Sequence, residues 1–369
     1  MGDIPKWTET LELLRQIYPN NTWALANLSD AYLNDGRYQK ALEVAREGLR
    51  LLPNGAALHV NLGAALICLN QFDEAEQTIR QALSRNLESI IYHQNLYEIA
   101  FIRGDGAAMK QQIDWAKGKP EGLEALRWQA HTAEFGGKGR QADDFYRQAI
   151  ALARQNNLKS RESSITAEMA LTDALFGNCR QALDGVKRAL SLSRAASENL
   201  GLALALCGEP DQALALAEEF IKANPKTASL YQAERISGFL APIIRAMVEL
   251  RRGKPDQAIQ LLQSAIPFES QYPLASPFTS KYLRGQAYLG LRAGKEAAVE
   301  FQEILDYRGY DPTNLNWALA HLGSARAAAL TGDTAKSRKM YEAFLEFWKD
   351  ADPDIPILIA AKAEYAKLR

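Results

Sequence analysis

At 369 residues with a formal net charge of −1, the chain exceeds one ordinary globular core. It carries no global basic field to draw it to nucleic acid or a membrane surface. Its three cysteines, Cys68, Cys179 and Cys207, form no CxxC pair and are odd in number. This argues against a disulfide framework or zinc ribbon and favours a reducing, cytoplasmic setting, although a parent protein could place the region outside the membrane. No apolar run approaches the length of a membrane span, and no signal-peptide core opens the chain.

Residues 1–21 form a single helix with Trp7, Leu11 and Leu14 on one face. We read it as the second (B) helix of a partial repeat whose A helix is missing. The expectation is a piece of a longer protein, with Met1-Gly2 an added start. Residues 22–123 hold three regular units. Asn27-Leu28, Asn61-Leu62 and Asn95-Leu96 recur every 34 residues, as do Tyr18-Pro19 and Leu52-Pro53. In the first unit Leu25, Leu28 and Tyr32 supply the A-helix face, Gly36 ends that helix, and Ala41 is the small residue where A and B cross. The second repeats this with Leu62-Gly63, Leu66, Phe72 and Ala75; the third begins at Ile90 and breaks at Gly118-Lys119-Pro120.

A period of this length, built as helix-turn-helix, resembles the tetratricopeptide repeat (TPR). The expected fold is all-α: a right-handed superhelical α-solenoid. Residues 124–227 are expected to form three degenerate units turning at Gly136-Gly137, Gly177 and Gly208. Residues 228–349 add three more. The turn Gly208-Glu-Pro-Asp-Gln-Ala213 is echoed at Gly253-Lys-Pro-Asp-Gln-Ala258, 45 residues on, about eleven more than the usual period. The excess falls in 227–239, so a longer helix near 228–251 or a short extra one is expected, with Pro242 kinking it or lying in its first turn. Residues 350–369 are expected to cap the array, with Asp354 as N-cap.

Several phrases carry a narrower resemblance: Trp115-Ala-Lys-Gly-Lys-Pro120, Tyr282-Leu-Arg-Gly-Gln-Ala-Tyr288, and the tail Trp348-Lys-Asp-Ala-Asp-Pro-Asp-Ile-Pro-Ile357 with Ala363-Glu-Tyr-Ala-Lys367. Together they resemble the C-terminal TPR region of large bacterial serine/threonine protein kinases. The resemblance implies a sensor or docking module in bacterial signalling. The kinase itself is missing from these residues: no G-x-G-x-x-G loop opens onto a strand, and neither H-R-D nor D-F-G occurs. No catalytic residue, cofactor or metal site is expected. His59 and His93, 34 residues apart, are expected to pack on their own B helices, because zinc would need further convergent ligands. Trp115, Trp128 and Trp317 come without a basic stripe and are expected in the core.

The candidate peptide-binding residues line the A helices of the first three units: Asn27, Asp30, Asn34, Asn61, Asn95, Glu98 and Phe101. An amide both donates and accepts, so one asparagine per repeat could pair with the N–H and C=O of an extended peptide. The alternative is that these asparagines are ordinary solvent-facing residues of TPR helices. Two function classes follow. One is a protein–protein interaction scaffold with the concave groove as the peptide site. The other is a regulatory or oligomerising module, acting on the missing kinase domain or on a second copy through self-association.

Overall fold

A computed structural model describes residues 4–193, 198–223, 236–269 and 278–368. Among these residues all regular structure is helical. Helix α1 (Ile4–Ile17) precedes nine helix pairs. They are α2 (Thr22–Asn34) with α3 (Tyr38–Leu51), α4 (Ala56–Cys68) with α5 (Phe72–Ser84), and α6 (Ile90–Arg103) with α7 (Gly106–Ala116). Next come α8 (Gly122–Phe135) with α9 (Gly139–Gln155), α10 (Lys159–Leu175) with α11 (Cys179–Leu192), and α12 (Glu198–Leu206) with α13 (Pro210–Ala223). The last three are α14 (Ala241–Arg251) with α15 (Pro255–Leu262), α16 (Thr279–Gly290) with α17 (Gly294–Asp306), and α18 (Leu315–Leu330) with α19 (Thr334–Phe347); α20 (Pro356–Ala366) follows. The chain is an α-solenoid.

The two helices of a pair differ in pattern because their surroundings differ. A B helix such as α3 buries Ala41, Leu42 and Ala45 on one face and leaves the other to water. An A helix is held between its own B helix and the A helices on either side, so apolar residues recur around most of its circumference. In α18 only a few positions reach solvent. Every A-to-B turn has the same geometry. One residue takes positive φ, in sequence Gly36, Asn70, Gly104, Gly137, Gly177, Gly208, Gly253, Arg292 and Gly332. The next amide then returns to a carbonyl five residues back, as Arg37 N to Tyr32 O (2.8 Å) and Asp333 N to Ala328 O (3.0 Å). This is the Schellman closure, which satisfies carbonyls the helix end leaves open.

Between the sixth and seventh pairs, most of the expected extra helix falls at 224–235, outside the described residues. Ile236–Leu240 forms one π-helical turn that runs into α14, where Pro242 occupies the first turn. Proline has no N–H to donate and its ring crowds the carbonyl four residues back, so the widened turn relieves both. The cysteines correct the expectation of no disulfide. Cys179 and Cys207 are bonded across the neighbouring helices α11 and α12, with Cα atoms 5.2 Å apart. Cys68 is the third, buried, its thiol pushed up to about 12 by loss of solvent. No described helix is long and apolar enough to cross a membrane.

The solenoid turns back on itself. Trp348, just after α19, is fully buried and donates its indole N–H to Phe135 O at 3.0 Å, over 213 residues of sequence. Asp352 N donates to Gly137 O at 3.0 Å, and Arg140 answers with its N–H to Asp352 (2.9 Å) and its guanidinium to Asp354 (2.7 Å). Asp354 therefore pairs across the fold rather than capping α20, whose N-cap is Ile355. Gly137 is required twice over: its φ is +69°, and a Cβ there would lie 2.8 Å from Ala351 Cβ.

A second contact lies at Asn70. Its Nδ2 donates to Asp306 O (2.6 Å), and its Oδ1 accepts from Gly309 N (2.9 Å). A Cβ on Gly309 would fall 1.8 Å from Ile67 O, so no other residue fits there. Truncating Trp348→Ala should cost about 3–5 kcal/mol by leaving a ring-sized cavity and an unpaired carbonyl. Urea unfolding should register the loss, and X-ray scattering should show a larger radius of gyration as the last pairs come away from α8.

Candidate functional site

Asn27, Asn61 and Asn95 stand at equivalent places on α2, α4 and α6, but they do not form an open ladder. Asn61 is 7 % exposed and donates both amide hydrogens to the preceding A helix, to Ala26 O at 2.9 Å and Ser29 Oγ at 2.7 Å. One repeat later the place of Ser29 is taken by Gly63, and Asn95 Nδ2 is buried without a partner. Asn27 bonds Trp23 O of its own helix (2.8 Å), as Asn34 bonds Asp30 O (2.8 Å). The expectation that Asn61 offers its amide to a peptide is thereby corrected: both of its amide hydrogens are spent in a seam between A helices, where Asn95 is buried too. Asp30 is exposed.

The other two candidates lie deeper in the fold. Phe101 meets Phe135 edge-on at 5.0 Å, and the Arg308 guanidinium lies over both rings. Glu98 lines a cavity of about 450 Å³ enclosed chiefly by the A helices of the third to ninth pairs and by residues 311–316. One part of its wall is acidic: Glu98, Glu134, Glu168 and Asp311 gather near His131. Another is aliphatic, with Leu202, Leu206, Met247, Leu283 and Leu319.

The four carboxylates are not equivalent. Burial works against ionised Glu168, but His131 and the Arg127 fork outweigh it and bring it down to about 2. That fork is bidentate, Nε to Oε2 at 2.9 Å and Nη2 to Oε1 at 2.5 Å. Glu168 in turn holds His131 above its ordinary value despite burial. Glu98 accepts only from the Gln94 amide (2.9 Å), and burial pushes it up to about 7. Glu134 accepts from the Thr172 hydroxyl (2.9 Å) and Asp311 from the Asn314 amide (2.9 Å); burial raises both. The cavity thus has room, an apolar surface, and carboxylates whose bonded donors are neutral. Such a lining stabilises a cation that brings its own apolar body.

Sequence reasoning missed His131, Glu134, Asp311 and Asn70. The first three come from units that share no regular period with the first three repeats. Asn70 was visible in principle, since it falls 34 residues after Gly36 and before Gly104, at the turn position its neighbours give to glycine. The histidines behave as structural residues. His93 stacks on Trp115 at 3.5 Å and pairs with Gln112 of its own B helix, and His59 bonds Pro53 O at 3.0 Å.

Family models described as tetratricopeptide repeat match residues 32–98 and 195–219. No match to a curated protein was found. Many solved structures are similar, among them the following three. The TPR domain of P58(IPK) is 17% identical, covering 99% of this chain and 93% of that one, with a TM-score of 0.32. A TPR protein from Parabacteroides merdae is 15% identical over 83% and 98%, with a TM-score of 0.35. Yeast Tom70 is 14% identical over 99% and 92%, with a TM-score of 0.34. Residues 32–98 and 195–219 thus carry tetratricopeptide repeats, and proteins with this repeat typically act as non-catalytic modules that bind other proteins.

Two tests follow. Gly63→Ser should give Asn95 the hydroxyl that Ser29 gives Asn61, because a Cβ there meets Ile79 at an ordinary 3.4 Å. Urea unfolding should show a gain of about 1–2 kcal/mol from the new bond and the lost glycine, whereas Asn61→Ala should lose about 1–3 kcal/mol. The second test concerns pH. Glu98 and Asp173 are both held near 7 in the folded chain by burial, so folding favours their protonated forms. Their contribution is complete at acid pH and is lost as pH rises through about 7. Thermal melting temperature should fall across that range, and less so in Glu98→Gln.

Proposed function

We propose that the chain is a non-catalytic interaction module that takes a segment of a partner protein on its concave face. The carrying observation is the cavity whose Glu98, Glu134 and Asp311 have neutral hydrogen-bond donors while aliphatic side chains form the rest of the wall. The segment that complements this surface presents a lysine or arginine beside aliphatic residues, its cation meeting the carboxylates and its apolar neighbours meeting Leu206, Met247 and Leu319. Glu98 remains the sequence-derived candidate in this reading, whereas Phe101 packs outside the cavity against Phe135 and Arg308. Asn27, Asp30 and Asn34, on the A helix of the first repeat, are read as an adjoining part of the same face.

The resemblance of the tail and turn phrases to the C-terminal region of bacterial serine/threonine kinases supports a docking or sensing role within a larger signalling protein. A panel of labelled peptides with lysine, arginine, glutamine or glutamate between aliphatic flanks tests the reading by fluorescence anisotropy. Basic peptides should bind best. The double variant Glu98→Gln, Glu134→Gln should weaken them at least about tenfold, or 1.4 kcal/mol, while keeping its helical circular dichroism. Equal binding of acidic and basic peptides, or indifference to the double variant, would count against it.

A further inference from the structure

The contact at Asn70 has the form of a ligand held in a site, except that the ligand is the chain's own residues 306–310. Four features of that segment are recognised separately. The Asp306 carbonyl and the Gly309 amide are bracketed by the two atoms of one side-chain amide, Asn70 Nδ2 at 2.6 Å and Oδ1 at 2.9 Å. Gly309 lies flat on the Ile67 carbonyl, where a Cβ would sit at 1.8 Å. The Arg308 guanidinium lies over Phe101 (5.8 Å) and Phe135 (5.7 Å) and stacks at 4.0 Å on Trp317. The Tyr310 ring meets Tyr38 at 4.9 Å. Backbone bracketing, a glycine-only step and side-chain pockets on either side are the elements of peptide recognition.

The occupant is held at a cost. Arg308 is enclosed by rings and its Nε is buried without a hydrogen-bond partner; burial alone brings the guanidinium down to about 10. The residue that follows the segment, Asp311, is carried into the acidic wall of the cavity, where the charges of Glu98 and Asp311 oppose each other. A buried cation without a carboxylate and a carboxylate among carboxylates both favour release of the segment.

We propose that the edge formed by Ile67, Asn70, Phe101 and Phe135 is a docking surface for an arginine-glycine-aromatic segment of a partner protein, and that residues 306–310 cover it until such a segment displaces them. Displacement removes the loop that closes the solenoid at this point, so docking and opening are one event. This surface is separate from the cavity reading and uses none of its carboxylates for recognition.

The test uses the whole chain and a labelled peptide with the sequence of residues 305–313. Gly309→Ala drives a Cβ into the Ile67 carbonyl and vacates the edge, and Arg308→Ala is a second variant that leaves the backbone unconstrained. By anisotropy, both variants should bind the peptide at least about tenfold more tightly than the parent chain, a difference of 1.4 kcal/mol. Adding Asn70→Ala to either, or replacing the peptide's arginine or glycine by alanine, should abolish that gain. Equal binding to parent and variants overturns the proposal, as does binding indifferent to Asn70→Ala. It is also overturned if the variants ignore the peptide and instead form concentration-dependent dimers. Circular dichroism separates loss of fold from loss of binding, and Arg308→Ala carries the test if Gly309→Ala fails to fold.

Discussion

The approach of Gly309 to the Ile67 carbonyl, with Trp348 hooked on Phe135, is the constraint on which the rest of the architecture depends. Stacked helix pairs alone define an open superhelix whose concave face runs from end to end. Two backbone approaches too close for any side chain, at Gly309 and Gly137, let the eighth and ninth pairs return onto the second, third and fourth. The return converts a groove into a cavity with an acidic part and an aliphatic part. It also moves Phe101 from a groove floor to the wall of an aromatic enclosure around Arg308.

Enclosure then sets the electrostatics. In an open groove Glu98, Glu134 and Asp311 would be hydrated carboxylates of ordinary acidity. Packed around His131 with neutral donors, they are raised instead, while Glu168, bound by Arg127, is lowered. The contrast between a carboxylate with a bidentate arginine and three without one is what the proposed binding of a cationic segment rests on. Glu269 illustrates the satisfied alternative elsewhere in the chain: although burial works against its charge, its pairing with Arg284 and Lys281 holds its pKa below the usual carboxylate range.

The asparagines show how far a periodic signal reaches. Their spacing located them correctly on successive A helices, and the amides of Asn27 and Asn61 do pair with backbone, while Asn95 Nδ2 is buried without a partner. At Asn61 that backbone belongs to the neighbouring A helix, and at Asn27 to its own helix. A 34-residue spacing reports that a position is equivalent from unit to unit. It does not report whether that position faces solvent or the adjacent repeat, because each A helix has both kinds of neighbour. The cysteines illustrate the same limit, since an odd count is compatible with one cross-helix pair and one buried thiol.

What the sequence by itself determined is the local structure: helices from apolar periodicity, most of the turns from glycine in the left-handed region, and B helices with one wet face. These features rest on interactions within about one repeat, so they are legible in a single chain. What only the tertiary structure decided is the closure and everything that follows from it: the cavity, its raised carboxylates, the Arg308 enclosure and the bracketed loop. Those contacts join residues more than 200 positions apart, such as Asn70 with Gly309 and Phe135 with Trp348. Their geometry is the accumulated result of small rotations between successive pairs, and no local pattern encodes where the sum returns.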